Sequence, residues 1–230
     1  MVPIDGVLCS VCGEKLFGHP FVTEAGPLCG LCHRAAPRFD KAVAYGAYEG
    51  PLRELIHIFK YQRVRSAAPL LGKLLREAVQ RTGLAGPLAV IPVPLWPGKQ
   101  RARGFNQAGE IARSFCRAQA PAGIKLEATL LIRTRETTSQ TGLTRAQRRA
   151  NLRGAFVVRH PAKLRGRSIL LVDDVMTTGS TASECARVLL RGGAKEVFVA
   201  TVARATREVP SVLSQVMAAS AARGGTQGHA

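Results

Sequence analysis

Acidic side chains are scarce in this 230-residue chain: 15 Asp and Glu stand against 33 Lys and Arg, a formal charge of +18. The imbalance calls for an anionic partner; polyphosphorylated metabolites and nucleic acid both qualify, and net charge alone does not choose between them. Arg heavily outnumbers Lys, so part of the excess also reads as the background of a basic proteome or a GC-rich genome. Long apolar runs are missing too. No uninterrupted stretch reaches the length that crosses a bilayer, which argues against a membrane span. The opening residues "MVPIDGVLCSVCGEKLF" lack the basic region and long apolar core of a secretion signal. Both absences predict a cytoplasmic protein.

What is present is a globular composition. Hydrophobic residues make up 46% and charged residues 21%, which argues against wholesale disorder. The length fits one ordinary domain with its own core plus a small appendage. Residues 1–40 are the appendage: rich in Gly, Pro and Cys, and too short to hold a core unaided. Cys9 and Cys12 form one C-x-x-C pair and Cys29 and Cys32 another, with sixteen residues between the pairs. That spacing suits two thiolate knuckles closing a tetrahedron around one Zn²⁺. Disulfides are the weaker reading in a reducing compartment. Four thiolate ligands imply a closed, structural site. His33, next to Cys32, is either a stand-in ligand or an exposed side chain. Cys116 and Cys185 sit in helical patterns and read as buried hydrophobes.

From about residue 41 the periodicity alternates. "KAVAYGAYEG", "PLAVIPVPL", "ATLLIRT", "AFVVRH", "SILLVDDV" and "KEVFVATVAR" read as strands. "PLRELIHIFKYQ", "AAPLLGKLLREAVQRTG", "AGEIARSFCRAQA" and "TASECARVLLRGGA" read as amphipathic helices. "WPGKQRARGFNQ" reads as a basic loop, and "RETTSQTGLTRAQRRANLRG" as a long cationic segment without an apolar period. The alternation predicts an α/β fold, a doubly wound parallel sheet, over residues 41–206. A tail over 207–230 fades into Ala, Gly and Ser.

In "ILLVDDVMTTGST" an apolar strand runs into Asp173 and Asp174, and a turn of Thr177, Thr178, Gly179, Ser180 and Thr181 opens the next helix. Ligands gather at the carboxyl ends of parallel strands. A helix N-terminus attracts phosphate, and Gly179 lets backbone come close. Acids on one side and a phosphate cradle on the other match a sugar phosphate. An acid pair after a strand also occurs in phosphate-accepting regulators, which lack the hydroxyl-rich turn. "RGFNQ" is either an anion contact or a plain loop-to-helix junction. Trp96 and Phe105 either stack on bases or pack in the core.

These motifs together resemble a family. The acid pair with its Thr-Thr-Gly-Ser-Thr turn looks like the phosphoribosyl pyrophosphate (PRPP) signature of type I phosphoribosyltransferases. The cysteine module, "VPVPLWPGKQRARGFNQA" and "SQTGLTRAQRRANLRGAF", in that order, resemble the ComF family of competence-associated proteins. The resemblance implies PRPP, or a related phosphorylated ribose, bound with Mg²⁺, and a role in nucleoside metabolism. Asp173 and Asp174 would be catalytic, on the ribose hydroxyls. Val175, Met176, Thr177, Thr178, Gly179, Ser180 and Thr181 would bind substrate, the last five around the 5-phosphate. Pro92, Val93, Pro94 and Leu95 would form the pyrophosphate loop, where this fold often carries a strained peptide bond. Lys99, Arg101 and Arg103 would meet the pyrophosphate, and the segment from Arg133 to Arg153 would close over the site. It also implies a link to natural transformation, with single-stranded DNA and competence-machinery proteins as the expected partners. The alternative is a non-catalytic DNA-binding factor that keeps the PRPP fold as a sensor.

Overall fold

The structure, a computed structural model, describes residues 1–17, 20–84, 86–117, 123–137 and 144–205. In chain order its elements are β1 (Phe21–Thr23), β2 (Gly26–Leu28), α1 (Gly30–Arg34), β3 (Lys41–Ala47), α2 (Gly50–Tyr61), α3 (Ala68–Gln80) and β4 (Leu88–Pro92). Then follow α4 (Pro97–Arg103), α5 (Gln107–Arg117), β5 (Lys125–Leu126), β6 (Leu131–Arg133), α6 (Arg145–Leu152), β7 (Phe156–Val158), β8 (Ser168–Met176), α7 (Ser180–Arg191) and β9 (Glu196–Arg204).

Five strands form one parallel sheet in the order β3-β9-β8-β4-β5. A central parallel strand is buried on both faces, so it must be apolar at both parities. Ile169 and Leu171 of β8 enter one core with Cys185, Ala186 and Leu189 of α7. Leu170 and Val172 enter a second core with Ile56 and Phe59 of α2, Leu71 and Leu75 of α3, and Ile111 and Phe115 of α5. Helices therefore cover both faces, as a doubly wound sheet requires.

Three readings of the sequence are corrected. The basic stretch after β4 is not a loop: Pro97 opens α4, which ends on Gly104 in the left-handed conformation, φ 80°. Proline at a first helical turn loses no hydrogen bond, because that N–H has no partner anyway. "ATLLIRT" and "AFVVRH" do form strands, but β6 and β7 pair antiparallel with each other, outside the parallel sheet. The cationic segment is not without an anchor, since Leu152 of α6 is fully buried beside Phe156. Residues 138–143 of that segment and the tail beyond 205 lie outside the described residues.

The amino-terminal module packs on the edge of the sheet. Ala42 N of β3 donates to Val11 O at 2.7 Å. Gly13, at φ 65°, lies so close to β3 that a Cβ there would stand 2.7 Å from Ala42 O. All four module cysteines belong to the same buried cluster as Phe39, Ala42 and Ile169. On the other face Phe59 packs against Phe105, ring centroids 5.1 Å apart. Phe105 is thus a core residue, not a stacking platform. Phe59→Ala should cost about 3–5 kcal/mol, read as a lowered urea midpoint; an unchanged midpoint would contradict this packing.

Candidate functional site

Successive side chains of a strand leave on opposite faces, and this divides the two acids. Asp173 lines a small pocket of about 30 Å³ with Val175, Met176, Thr177, Gly179, Ser180, Thr181, Ala182 and Thr201. Asp174 points toward α2, where its Oδ1 lies 2.9 Å from Lys60 Nζ. Asp173 thus lines the turn's pocket, while Asp174 stands paired with Lys60. The turn itself is built as its composition suggests. Gly179 adopts φ 74° at the cap of α7, a conformation that L side chains seldom take. Thr178 and Ser180 share a hydroxyl hydrogen bond of 2.9 Å.

The acids set the electrostatics. Burial, reinforced by the Asp174 charge, pushes the Asp173 carboxyl up to about 7, against the pull of Lys60 and Arg103. Burial works against the Lys60 ammonium, yet Asp174 beside it and Asp173 nearby hold it above its ordinary value. Burial lowers Arg133, opposed in part by the charge of Asp173. Arg133 Nε is buried with no hydrogen-bond partner among the described residues. Lys60 escaped the sequence reading because it occupies the last turn of an ordinary amphipathic helix, where lysine is common. This helix lysine is half-buried against an acidic strand end, where Asp174 matches its charge.

Of the Pro92–Leu95 segment, Pro92 ends β4, paired with Val172 of β8, and the other three residues follow as a loop. Val93 N donates to Val172 O at 2.9 Å, so the loop starts beside the acids. No cis peptide bond occurs among the described residues, and no residue of this loop has a positive φ. Asn106 of "RGFNQ" donates from Nδ2 to Val93 O at 3.1 Å, so its role is to hold the loop. Of the three cations expected at the pyrophosphate, Arg103 acts on Asp173, donates to Gln107 Oε1 at 3.2 Å and sits over the Tyr61 ring. Lys99 and Arg101 lie on α4, and no ion pair or side-chain hydrogen bond ties them to the acids among the described residues. The exposed His57 and His160 are likewise linked to neither acid.

The four cysteines converge. The sulfurs of Cys9, Cys12, Cys29 and Cys32 all lie within 4.8 Å of one another and are buried. None is in a disulfide. Four buried soft donors at this spacing fit a tetrahedral thiolate site for a metal such as Zn²⁺. His33 is no part of this group; it is exposed and stacks on Phe21 at 4.1 Å. Cys185 is fully buried, as its pattern predicts, and Cys116 partly so.

A far roomier cleft, about 830 Å³, adjoins the turn through Ser180. Ala35, Ala36, Arg38, Ala150, Arg153, Gly154, Ser183, Glu184, Arg187 and Arg191 complete its lining. Glu184 is matched inside it, by Arg187 at 2.7 Å and by Gly154 N at 3.1 Å. Arg38, Arg153 and Arg191 are exposed at its surface.

The chain is similar to known proteins. Residues 101–215 match the family described as the phosphoribosyl transferase domain. DNA utilization protein YhgH of Escherichia coli O157:H7 is 36% identical over 199 residues, 85% of this chain and 83% of that protein. Competence protein F of Haemophilus influenzae is 35% identical over 210 residues, 86% of this chain and 90% of that protein. Among solved structures, glutamine PRPP amidotransferase from B. subtilis, complexed with ADP and GMP, is similar over 59% of this chain but only 26% of its own, with TM-score 0.39 and 23% identity. Trypanosoma cruzi hypoxanthine phosphoribosyl transferase is similar over 66% of this chain and 70% of its own, with TM-score 0.36 and 15% identity. No helix among the described residues is long and apolar enough to cross a membrane.

The raised carboxyl of Asp173 has a consequence for stability. Because the folded chain holds this proton more tightly than the unfolded one, the group favours folding fully below its ordinary value of 3.8, and that contribution is lost as pH rises through about 7. Asp173→Asn, which cannot ionise, should melt higher than the parent at pH 8 without added Mg²⁺, by about 2–4 °C per kcal/mol relieved. At pH 4 the two should nearly coincide. Equal melting temperatures at pH 8 would refute the assignment.

Proposed function

The chain belongs to the ComF family of phosphoribosyltransferase-domain proteins, and we propose that it binds PRPP, or a related phosphorylated ribose, with Mg²⁺ at the carboxyl end of β8. The observation that carries this reading is the single pocket joining Asp173 to Thr177, Gly179, Ser180 and Thr181. The turn would take the 5-phosphate through backbone amides and hydroxyls. Asp173 would meet the ribose hydroxyls directly or through metal-bound water. Asp174 joins it if Lys60 is displaced, or acts through Lys60 if it is not. Mg²⁺ uses few protein ligands and several phosphate oxygens, so an acidic pair suffices, and it would neutralise pyrophosphate charge. Arg103 and Lys60 stand near the acids as the chain's own cations for that group. On this reading residues 1–40 are a zinc-held module and 41–206 the phosphoribosyltransferase-like domain, working in the cytoplasm.

If the chain turns over, an acceptor lone pair forms the new bond at ribosyl C1 while the C1–O bond breaks and pyrophosphate leaves with its electron pair. Charge builds on the departing oxygens, so cations there supply most of the help. Isothermal titration with PRPP and Mg²⁺ should show saturable heat that Asp173→Asn and Asp174→Asn abolish. Heat indifferent to both substitutions would overturn the reading.

A second reading draws on the arginine-bordered cleft and on the relatives named for DNA utilization and competence. Exposed Arg38, Arg153 and Arg191 suit the phosphates of single-stranded DNA, and such binding weakens steeply with salt. Replacing the three with Ser should reduce the slope of log affinity on log salt by about 0.7 for every phosphate left without its arginine. An oligo-dT that binds no better to the parent than to this triple variant would remove the cleft from consideration.

A further inference from the structure

Arg204, the last residue of β9, is one of the most buried charges described, at 3% exposure. Its Nη2 lies 3.4 Å from Cys12 Sγ and 3.6 Å from Glu14 Oε2. Its Nε and Nη1 are buried with no hydrogen-bond partner among the described residues. A guanidinium taken out of water with two idle nitrogens is costly unless strong negative charge lies beside it. Glu14 supplies one negative charge, but Glu14 is itself buried and stands 4.0 Å from the Cys12 sulfur. Four thiolates around a divalent ion carry two surplus negative charges, so a carboxylate there is tolerable only with a cation between them.

We propose that Arg204 is the cation that neutralises the four-cysteine metal centre, so that the central sheet contributes a residue to a site otherwise confined to the amino-terminal module. The backbone around it is fixed by the fold: Tyr48 N donates to Arg204 O at 2.8 Å, and Ala205 N donates to Met176 O at 2.9 Å. The guanidinium is therefore delivered to the cysteines by β9, not by the module. An N–H directed at a coordinating sulfur stabilises the thiolate and raises metal affinity, and loss of such a partner typically costs about 10–100-fold in affinity.

The test uses the full chain, with competition between protein and a chromogenic chelator for Zn²⁺, and the cobalt-loaded protein for spectroscopy. Arg204→Met should lose zinc affinity by about 10–100-fold and shift the sulfur-to-cobalt charge-transfer band to lower energy. Arg204→Lys, which keeps the charge but not the fork, should recover part of the affinity. Affinity within threefold of the parent, with an unmoved band, would overturn the proposal. Should Arg204→Met fail to fold, Glu14→Gln decides: relieved of the neighbouring carboxylate, Arg204 serves the centre alone and zinc binds more tightly. An unchanged or weakened site in that variant would equally overturn it. None of these outcomes depends on whether the chain binds PRPP.

Discussion

Two carboxylates cannot end a buried apolar strand unless positive charge is brought to meet them, and much of the site follows from this. The sheet supplies the burial, because β8 lies between β9 and β4 with helices on both faces. The cations come from three separate places in the chain: Lys60 from α2, Arg103 from α4 and Arg133 from β6. Part of the chain's large positive charge is thus engaged with its own acids. The strand's alternation then gives the acids different work. Asp174 is matched by a lysine, while Asp173 is left toward the hydroxyl-rich turn with its proton held tightly.

The same constraint governs the amino-terminal module. Its two short strands and single helical turn bury too little to stand alone. The cysteines make up the difference in two ways: as a metal-binding set within 4.8 Å, and as apolar surface in the cluster that contains Phe39, Ala42 and Ile169. Gly13 permits the close approach of the first knuckle to β3. Module and sheet therefore share one core, and Arg204 ties them electrostatically as well.

Legibility varied with the range of the interaction involved. The helices α2, α3, α5 and α7 and the strands β3, β4, β8 and β9 carry strong periods, and they stand where those periods place them, whereas the two-residue β5 carries none. "WPGKQRARGFNQ" read as a loop because α4 buries no residue at all; a helix without an apolar stripe leaves no pattern to detect. The strands at Leu131–Arg133 and Phe156–Val158 were readable as strands, but their partner was not, since three-residue segments carry no mark of parallel or antiparallel pairing. Asn106 offers a similar lesson on a smaller scale: its amide holds the backbone of Val93, thirteen residues away, a contact that no local pattern marks.

By itself the sequence determined the elements with strong periods, the metal-binding cysteine set, the apolar strand ending in two acids, and the hydroxyl-rich turn after them. These are local, because residue spacing within a short stretch decides them. Only the tertiary structure decided that Asp173 and Asp174 part company, that Lys60 and not Lys99 or Arg101 pairs with an acid, and that Arg204 reaches the cysteines from 192 positions away. Those outcomes depend on which side chains are desolvated together, and the free energy of a charge depends on the neighbours it finds once water has gone.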